Sequence, residues 1–159
     1  MAIQRMRRGN PRGPQEEKEF EQRVLDLARV TRVTAGGKRM RFRAVIAIGD
    51  KKGRVGVGVA KGADVASAIA KANRQAEKNC IKVTMVNETI PHRVDAKFGA
   101  AVIMIKPAPA GTGIKAGGVV RILLALAGVP NAVSKIFGSK NKLNNARATI
   151  QALQSFKTR

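Results

Sequence analysis

Lys38-Arg39-Met40-Arg41-Phe42-Arg43-Ala44-Val45-Ile46-Ala47-Ile48-Gly49-Asp50-Lys51-Lys52-Gly53-Arg54-Val55-Gly56-Val57-Gly58-Val59-Ala60-Lys61 is the stretch from which the fold of this chain can be read. Met40 to Gly49 and Arg54 to Lys61 have the composition of strands, and Asp50-Lys51-Lys52-Gly53 between them is a turn with glycine where positive φ is needed. Just upstream, Val30 to Thr34 reads as another strand, joined to the next through Ala35-Gly36-Gly37-Lys38. Asp64 is a good N-cap for a helix running to about Asn79. Val65, Ile69, Ala72 and Ala76 form its apolar stripe, with Lys71, Arg74 and Lys78 roughly opposite. Ahead of the strands, Gln15–Asp26 starts acidic and reads as a helix, with Phe20, Val24 and Leu27 at helical spacing. The expected order is α-β-β-β-α.

The downstream half reads as a second unit. Ile81–Val86 is a short strand leading into it, and the boundary is expected near residues 80–88. Val94–Phe98 and Ala101–Pro107 are strands around Gly99, and Gly117–Ala127 is an apolar helix closed by Gly128 and Pro130. Ala132–Phe137 is strand-like, and Asn144–Phe156 is a final helix. Met1–Pro14, broken by Gly9, Pro11, Gly13 and Pro14 and carrying Arg5, Arg7, Arg8 and Arg12, reads as a disordered basic arm. The organisation expected is therefore an arm over 1–14, one domain over 15–82 and another over 83–159, α+β throughout.

Thirty-one Lys+Arg against ten Asp+Glu give a formal charge of +21 on 159 residues. Such an excess resists compaction and attracts a polyanion. It is not confined to a tail: no acidic side chain follows Asp95, whereas ten Lys or Arg do. Nucleic acid is the expected partner. There is no Trp or Tyr and only five Phe, which disfavours the aromatic platforms that read single-stranded bases. Backbone and shape recognition of folded RNA fits better. No stretch approaches the 18 or so apolar residues of a membrane span, and the basic start lacks the apolar run of a signal peptide. No membrane partner is expected. The single cysteine, Cys80, forms no internal disulfide and reads as a small hydrophobe near a helix end in a reducing compartment.

Three local patterns could carry function. In Lys38–Arg43, alternation places Arg39, Arg41 and Arg43 on one strand face and Met40, Phe42 and Ala44 on the other, the core side. Three unpaired guanidiniums on one face repel each other unless an external anion neutralises them, and the planar Arg fork suits phosphate. The bland alternative is a solvated polar face. In Arg54–Lys61, glycines two apart leave one face bare, so that RNA or a packed helix can approach closely. In Ala110–Gly118, glycines lead to a helix N-terminus, a phosphate-binding arrangement or simply a tight turn. As a nucleotide-triphosphate loop it is deficient, because Lys115 is followed by Ala116 instead of a hydroxyl residue. His92, the only histidine, has no obvious nucleophile or ligand cluster beside it. No catalytic residue, metal, cofactor or small-molecule substrate is expected.

The ordered motifs resemble a known family. Gly36-Gly37-Lys38, Phe42, Gly49-Asp50, Gly53-Arg54-Val55-Gly56, Gly58, Thr89-Ile90-Pro91-His92, Lys106-Pro107-Ala108, Gly111-Thr112-Gly113, Ala116-Gly117-Gly118, Arg121, Leu126–Val129, Gly138-Ser139, Asn144 and Arg147-Ala148-Thr149 look like bacterial small-subunit ribosomal protein five. Lys51-Lys52, Met40 and Val57 depart from its usual choices. The resemblance covers about residues 20–155. It implies a double-stranded-RNA-binding-like N-terminal domain and a β-α-β-α C-terminal domain shared with some small-molecule kinases. It also implies binding to 16S rRNA, contact with small-subunit ribosomal proteins four and eight, and influence on decoding fidelity. The expected place is the cytoplasm, in the ribosome, and an organellar ribosome suits the sequence as well. RNA contacts are expected at Arg29, Arg32, Gly36, Gly37, Lys38, Arg39, Arg41, Arg43, Lys51, Lys52, Arg54 and Lys61, and further along at Gly111, Thr112, Gly113, Lys115 and Arg121. The competing functions are a free double-stranded RNA-binding regulator and a nucleotide-dependent small-molecule kinase.

Overall fold

The structure is a computed structural model that describes residues 20–156. The expected basic arm over 1–14 lies outside them. A strand β1 (Glu21–Thr34) turns at Ala35-Gly36 into β2 (Gly37–Gly49), and the two form a long antiparallel ribbon. The register runs from Glu21↔Gly49 to Thr34↔Gly37 with a bulge between Val24 and Asp26. The ribbon corrects the helix expected over Gln15–Asp26. Residues 15–19 are outside the described part, and Glu21–Asp26 is strand. Val24 and Leu27, which helical spacing would bury, are 50% and 46% exposed, and Leu25 is the buried residue. Backbone pairing with a segment some twenty residues away outweighs a weak local helical pattern.

The first sheet continues through β3 (Arg54–Gly62) to a two-residue β4 (Ile81–Lys82), in the order β1-β2-β3-β4. The strand expected over Ile81–Val86 is thus much shorter and closes this sheet instead of leading into the next. Between β3 and β4 lies α1 (Val65–Lys78), N-capped by Asp64 in a capping box with Ser67. Its Ala68, Ala72 and Ala76 pack on Ala44, Ile46 and Ile48 of β2. A Cβ on Gly56 or Gly58 would collide with the backbone of Ala76 or Ala72. The bare glycine face therefore receives a helix, which settles the choice between helix and RNA for this face.

The second sheet has the order β5-β6-β8-β7. Its strands β5 (Val94–Phe98), β6 (Ala101–Pro107) and β8 (Ala132–Gly138) are antiparallel neighbours, and β7 (Ile114–Lys115) joins β8 in parallel. Two helices complete the unit, α2 (Gly118–Ala127), ended by Gly128 with φ +81°, and α3 (Lys142–Gln154). Asn141 caps α3 by accepting the Leu143 N–H. The unit is β-β-β-α-β-α, two strands more than the β-α-β-α that the family resemblance implies and one more than the segment-by-segment reading. That strand, β7, arises inside the glycine-rich loop because Ile114–Lys115 pairs with β8.

The two sheets share a core. Leu25, Val45, Ala47 and Val55, on the first sheet's face away from α1, join Val120, Leu123 and Leu124 of α2 and Ile103 and Ile105 of β6. Each buried Val, Leu or Ile among them contributes roughly 1.5–3 kcal/mol. The base of β2 is therefore covered on both faces, whereas its far end, Gly37–Arg41, is exposed. Among the described residues the fold is α+β, with two sheets and three helices.

Candidate nucleic-acid interface

The ribbon changes character along its length. On β2, every residue from Ala44 to Gly49 is buried, and every residue from Gly37 to Arg41 is exposed. The face that presents Val45 and Ala47 to the core presents Arg43, Arg41 and Arg39 as the ribbon leaves the body. The register sets Arg39 directly opposite Arg32, Arg41 opposite Val30, and Arg43 opposite Lys61 of β3. Like charges directly opposite each other across a strand pair are destabilising. Arg32, Arg39, Arg41 and Lys61 line a depression of about 520 Å³ with Val30, Thr31 and Thr34, and among the described residues no carboxylate lies in its lining.

Two expectations about this segment need correction. Arg43 is not unpaired: its Nη2 is 3.3 Å from Asp26 Oδ2, and the other Asp26 oxygen is 3.3 Å from Lys142 Nζ on α3. A carboxylate 17 residues upstream, brought alongside by the ribbon register, withdraws Arg43 from the basic face. Met40 does not reach a core, being 52% exposed, and Phe42 is only half-buried. Phe42 packs at the margin of the α1 cluster, and beyond it the ribbon end, Gly37–Arg41, is exposed.

The remaining expected residues divide between free and engaged groups. Arg29 and Lys38 are exposed, opposite Phe42 and Val33, and a Cβ added at Gly36 or Gly37 of the tip would meet open space. Lys51 is 2.7 Å from Glu21. Hydrogen bonds from Lys51 and then Arg23 hold the Glu21 carboxyl below its usual range. Arg54 binds Asp50 at 2.7 Å and lies over the Phe20 ring. Lys52 gives its backbone N–H to Asp50 and is exposed. In the second unit, Gly113 donates its N–H to Asn131 Oδ1 and the Thr112 N–H donates to Pro109 O, so two amides of the glycine loop are already engaged. Gly111 there has φ +85°. Lys115 on β7 and Arg121 on α2 are exposed, and Arg121 borders a depression with Lys51, Arg23 and Glu21.

Asp50 is the best-held charge near the interface. Its side chain is 1% exposed, and it accepts the N–H groups of Lys52 and Arg54 and the Arg54 Nε–H. Burial pushes its pKa up, but these donors, the Arg54 amide and guanidinium foremost, hold it below the ordinary carboxylate value. His92 stands edge-on to Phe156, with ring centroids 5.6 Å apart. Burial raises the Cys80 thiol pKa. No helix among the described residues is long and apolar enough to cross a membrane.

Comparison with known proteins places both halves. Residues 20–84 match the description "Ribosomal protein S5, N-terminal domain", and residues 96–159 match "Ribosomal protein S5, C-terminal domain". The small ribosomal subunit protein uS5c of Spinacia oleracea is 54% identical over 139 residues, which are 87% of this chain and 45% of the spinach protein. Over 141 residues, uS5c of Emiliania huxleyi is 47% identical, covering 88% of this chain and 89% of its own. The uS5 protein of Thermosynechococcus vestitus is 46% identical over 153 residues, 96% of this chain and 88% of its own. With an exposed basic ribbon on a two-sheet α+β body and both halves matched in order, the chain belongs to the ribosomal protein S5 family, bacterial-type ribosomal proteins of the small subunit that are not enzymes.

Proposed function

We propose that this chain is a structural constituent of the small ribosomal subunit that binds 16S rRNA, supports assembly and influences translational accuracy. The observation that carries this reading is the ribbon end, where Arg32 faces Arg39, with Arg41 and Lys61 on the same face and no carboxylate in the depression they line. A strand pair that sets guanidinium against guanidinium is relieved by an anion, and phosphate matches the Arg fork. Lys38 and Arg29 extend the contact. Lys52, Lys115 and Arg121 provide further exposed cations, whereas Arg43, Lys51 and Arg54 act through carboxylate pairs that shape the surface. Three antiparallel strands with α1 packed on one face support a double-stranded-RNA-binding-like N-terminal unit over 15–82, followed by a C-terminal unit over 83–159. Small-subunit ribosomal proteins four and eight are the protein partners that the family resemblance suggests. A kinase reading lacks support, because part of the glycine loop is a strand with its backbone engaged.

The test is a salt series. Affinity of the full chain for 16S rRNA should fall steeply with salt, and replacing Arg39 and Arg41 by Ser should reduce the slope by about two, one for each lost phosphate contact. Small subunits carrying the double variant should misread codons at an altered rate. A slope equal to that of the unaltered chain would show that the ribbon end does not hold phosphate.

A further inference from the structure

β3 has one open side. β2 pairs with it from Gly49↔Val55 to Phe42↔Gly62, whereas β4 covers the opposite side only at Arg54↔Lys82 and Val55↔Ile81. Beyond Val55 no strand lies beside this edge among the described residues. The Val59 N–H points outward, since it donates to Oε1 of Gln75 on α1 at 3.0 Å. Peptide groups alternate in direction along a strand. The N–H and C=O groups of Val57 and Lys61 and the C=O of Val59 therefore face the same way, without a hydrogen-bond partner among the described residues.

The edge opens into a groove of about 690 Å³ between α1 and α3. Val57, Val59, Ile81 and Ile150 supply apolar walls, Lys78 and Arg147 supply charge, and no carboxylate lines it. Arg147 is held over the Phe98 ring, 5.4 Å from its centroid. Proteins usually blunt a strand edge with charge, proline or a covering element, because an open valine-rich edge invites pairing. Here a single glutamine amide blocks a single donor.

We propose that this groove receives an extended segment of a neighbouring protein, added to β3 as a further strand and carrying a carboxylate toward Lys78 and Arg147. The backbone decides for peptide over RNA. The edge offers alternating donors and acceptors, which another strand satisfies in full once the exposed Gln75 side chain yields the Val59 N–H. A phosphate chain supplies acceptors and leaves the Val57 and Val59 carbonyls unmatched. The apolar walls suit an aliphatic side chain between the paired backbone groups. The lining of this groove shares no residue with the ribbon-end depression, and the inference stands whether or not that end binds RNA.

A photoreactive phenylalanine analogue placed at Gln154, an exposed residue lining the groove, tests this in assembled small subunits containing the full chain. The expected product is an adduct with one defined segment of another protein. Amide exchange at Val57 should also be slower in the subunit than in free protein by roughly fivefold or more, as one added hydrogen bond supports. Val57→Pro removes an outward N–H that the β2 ladder does not use, and Lys78→Glu reverses the charge without touching the edge. Each should lower the adduct yield by roughly fivefold. An adduct with RNA, no adduct from subunits that sediment normally, or yields indifferent to both variants would overturn the proposal.

Discussion

Ala35-Gly36 at the end of the β1–β2 ribbon and Asp50-Lys51-Lys52-Gly53 between β2 and β3 are both short, contain glycine and adjoin basic side chains. Around the first, a Cβ added at Gly36 or Gly37 would meet open space, and the neighbouring Arg32, Arg39 and Arg41 meet no carboxylate among the described residues. The second is bound into the body at every level. Lys51 N–H donates to Leu126 O at 2.9 Å and Gly53 N–H to Ala127 O at 3.0 Å, so the turn completes the C-terminal end of α2. Gly128, which ends that helix, leaves no room for a Cβ beside the Lys51 carbonyl. Asp50 gathers three donors from its own turn. Similar local chemistry thus yields a projecting contact surface in one place and a joint between two units in the other. What separates them is whether acceptors and a carboxylate lie within reach.

That contrast can be broken from the joint side first. Gly128→Ala should destabilise the protein by roughly 2–5 kcal/mol, because it combines a left-handed conformation with a backbone clash at Lys51. The equivalent change at the tip, Gly36→Ala, should shift the melting temperature little. A tip variant that melts as early as the joint variant would remove the distinction. Asp50→Ala comes next, at about 2–3 kcal/mol, because it strands donors that now reach a buried carboxylate. Its pH dependence follows from the lowered folded pKa. The carboxylate's contribution is present above the unfolded value of about 3.9 and is lost as pH falls through the folded value. Acid melts of the unaltered chain should therefore lose stability below about pH 4 more steeply than those of Asp50→Asn.

Phe42→Ala should cost roughly 1–3 kcal/mol, less than the 3–5 typical of a buried Phe, because the ring is only half covered. The smallest stability effect belongs to the paired replacement of Arg39 and Arg41 by Ser, which should stay within about 0.5 kcal/mol. Its sign sharpens the comparison. Relief of the Arg32–Arg39 opposition should leave the free protein unchanged or slightly more stable, whereas RNA affinity falls. Early melting by differential scanning fluorimetry with normal incorporation into subunits would make those arginines part of the fold.

Much of the fold was legible where local signals agreed. Asp64 with Ser67 starts α1, Gly128 ends α2, and period-2 alternation marks β5 and β6, because capping, positive φ and strand pleat act over a few residues. The start of the first ribbon strand reads as helix because Phe20, Val24 and Leu27 mimic helical spacing over too few residues to decide, whereas its end, Val30–Thr34, reads as the strand it is. Pairing with Gly49–Ala44 then dictated extended backbone. β7 was missed for a related reason, since two residues in a glycine loop carry no period and become a strand only beside β8.

By itself, the sequence established a highly basic α+β chain with two units, three strands before α1, and arginines alternating along the second of them. Those properties follow from composition and short-range stereochemistry, which do not depend on what the segments meet. Only the tertiary structure decided which cations stay available. Asp26 reaches Arg43 and Lys142 across 17 and 116 residues of chain, and Glu21 reaches Lys51 across the ribbon's base. It also decided that the glycine face of β3 holds a helix, while the edge of that strand stays open. Charge pairing and strand pairing act through space over a few ångströms, so sequence distance carries no information about which charges are neutralised.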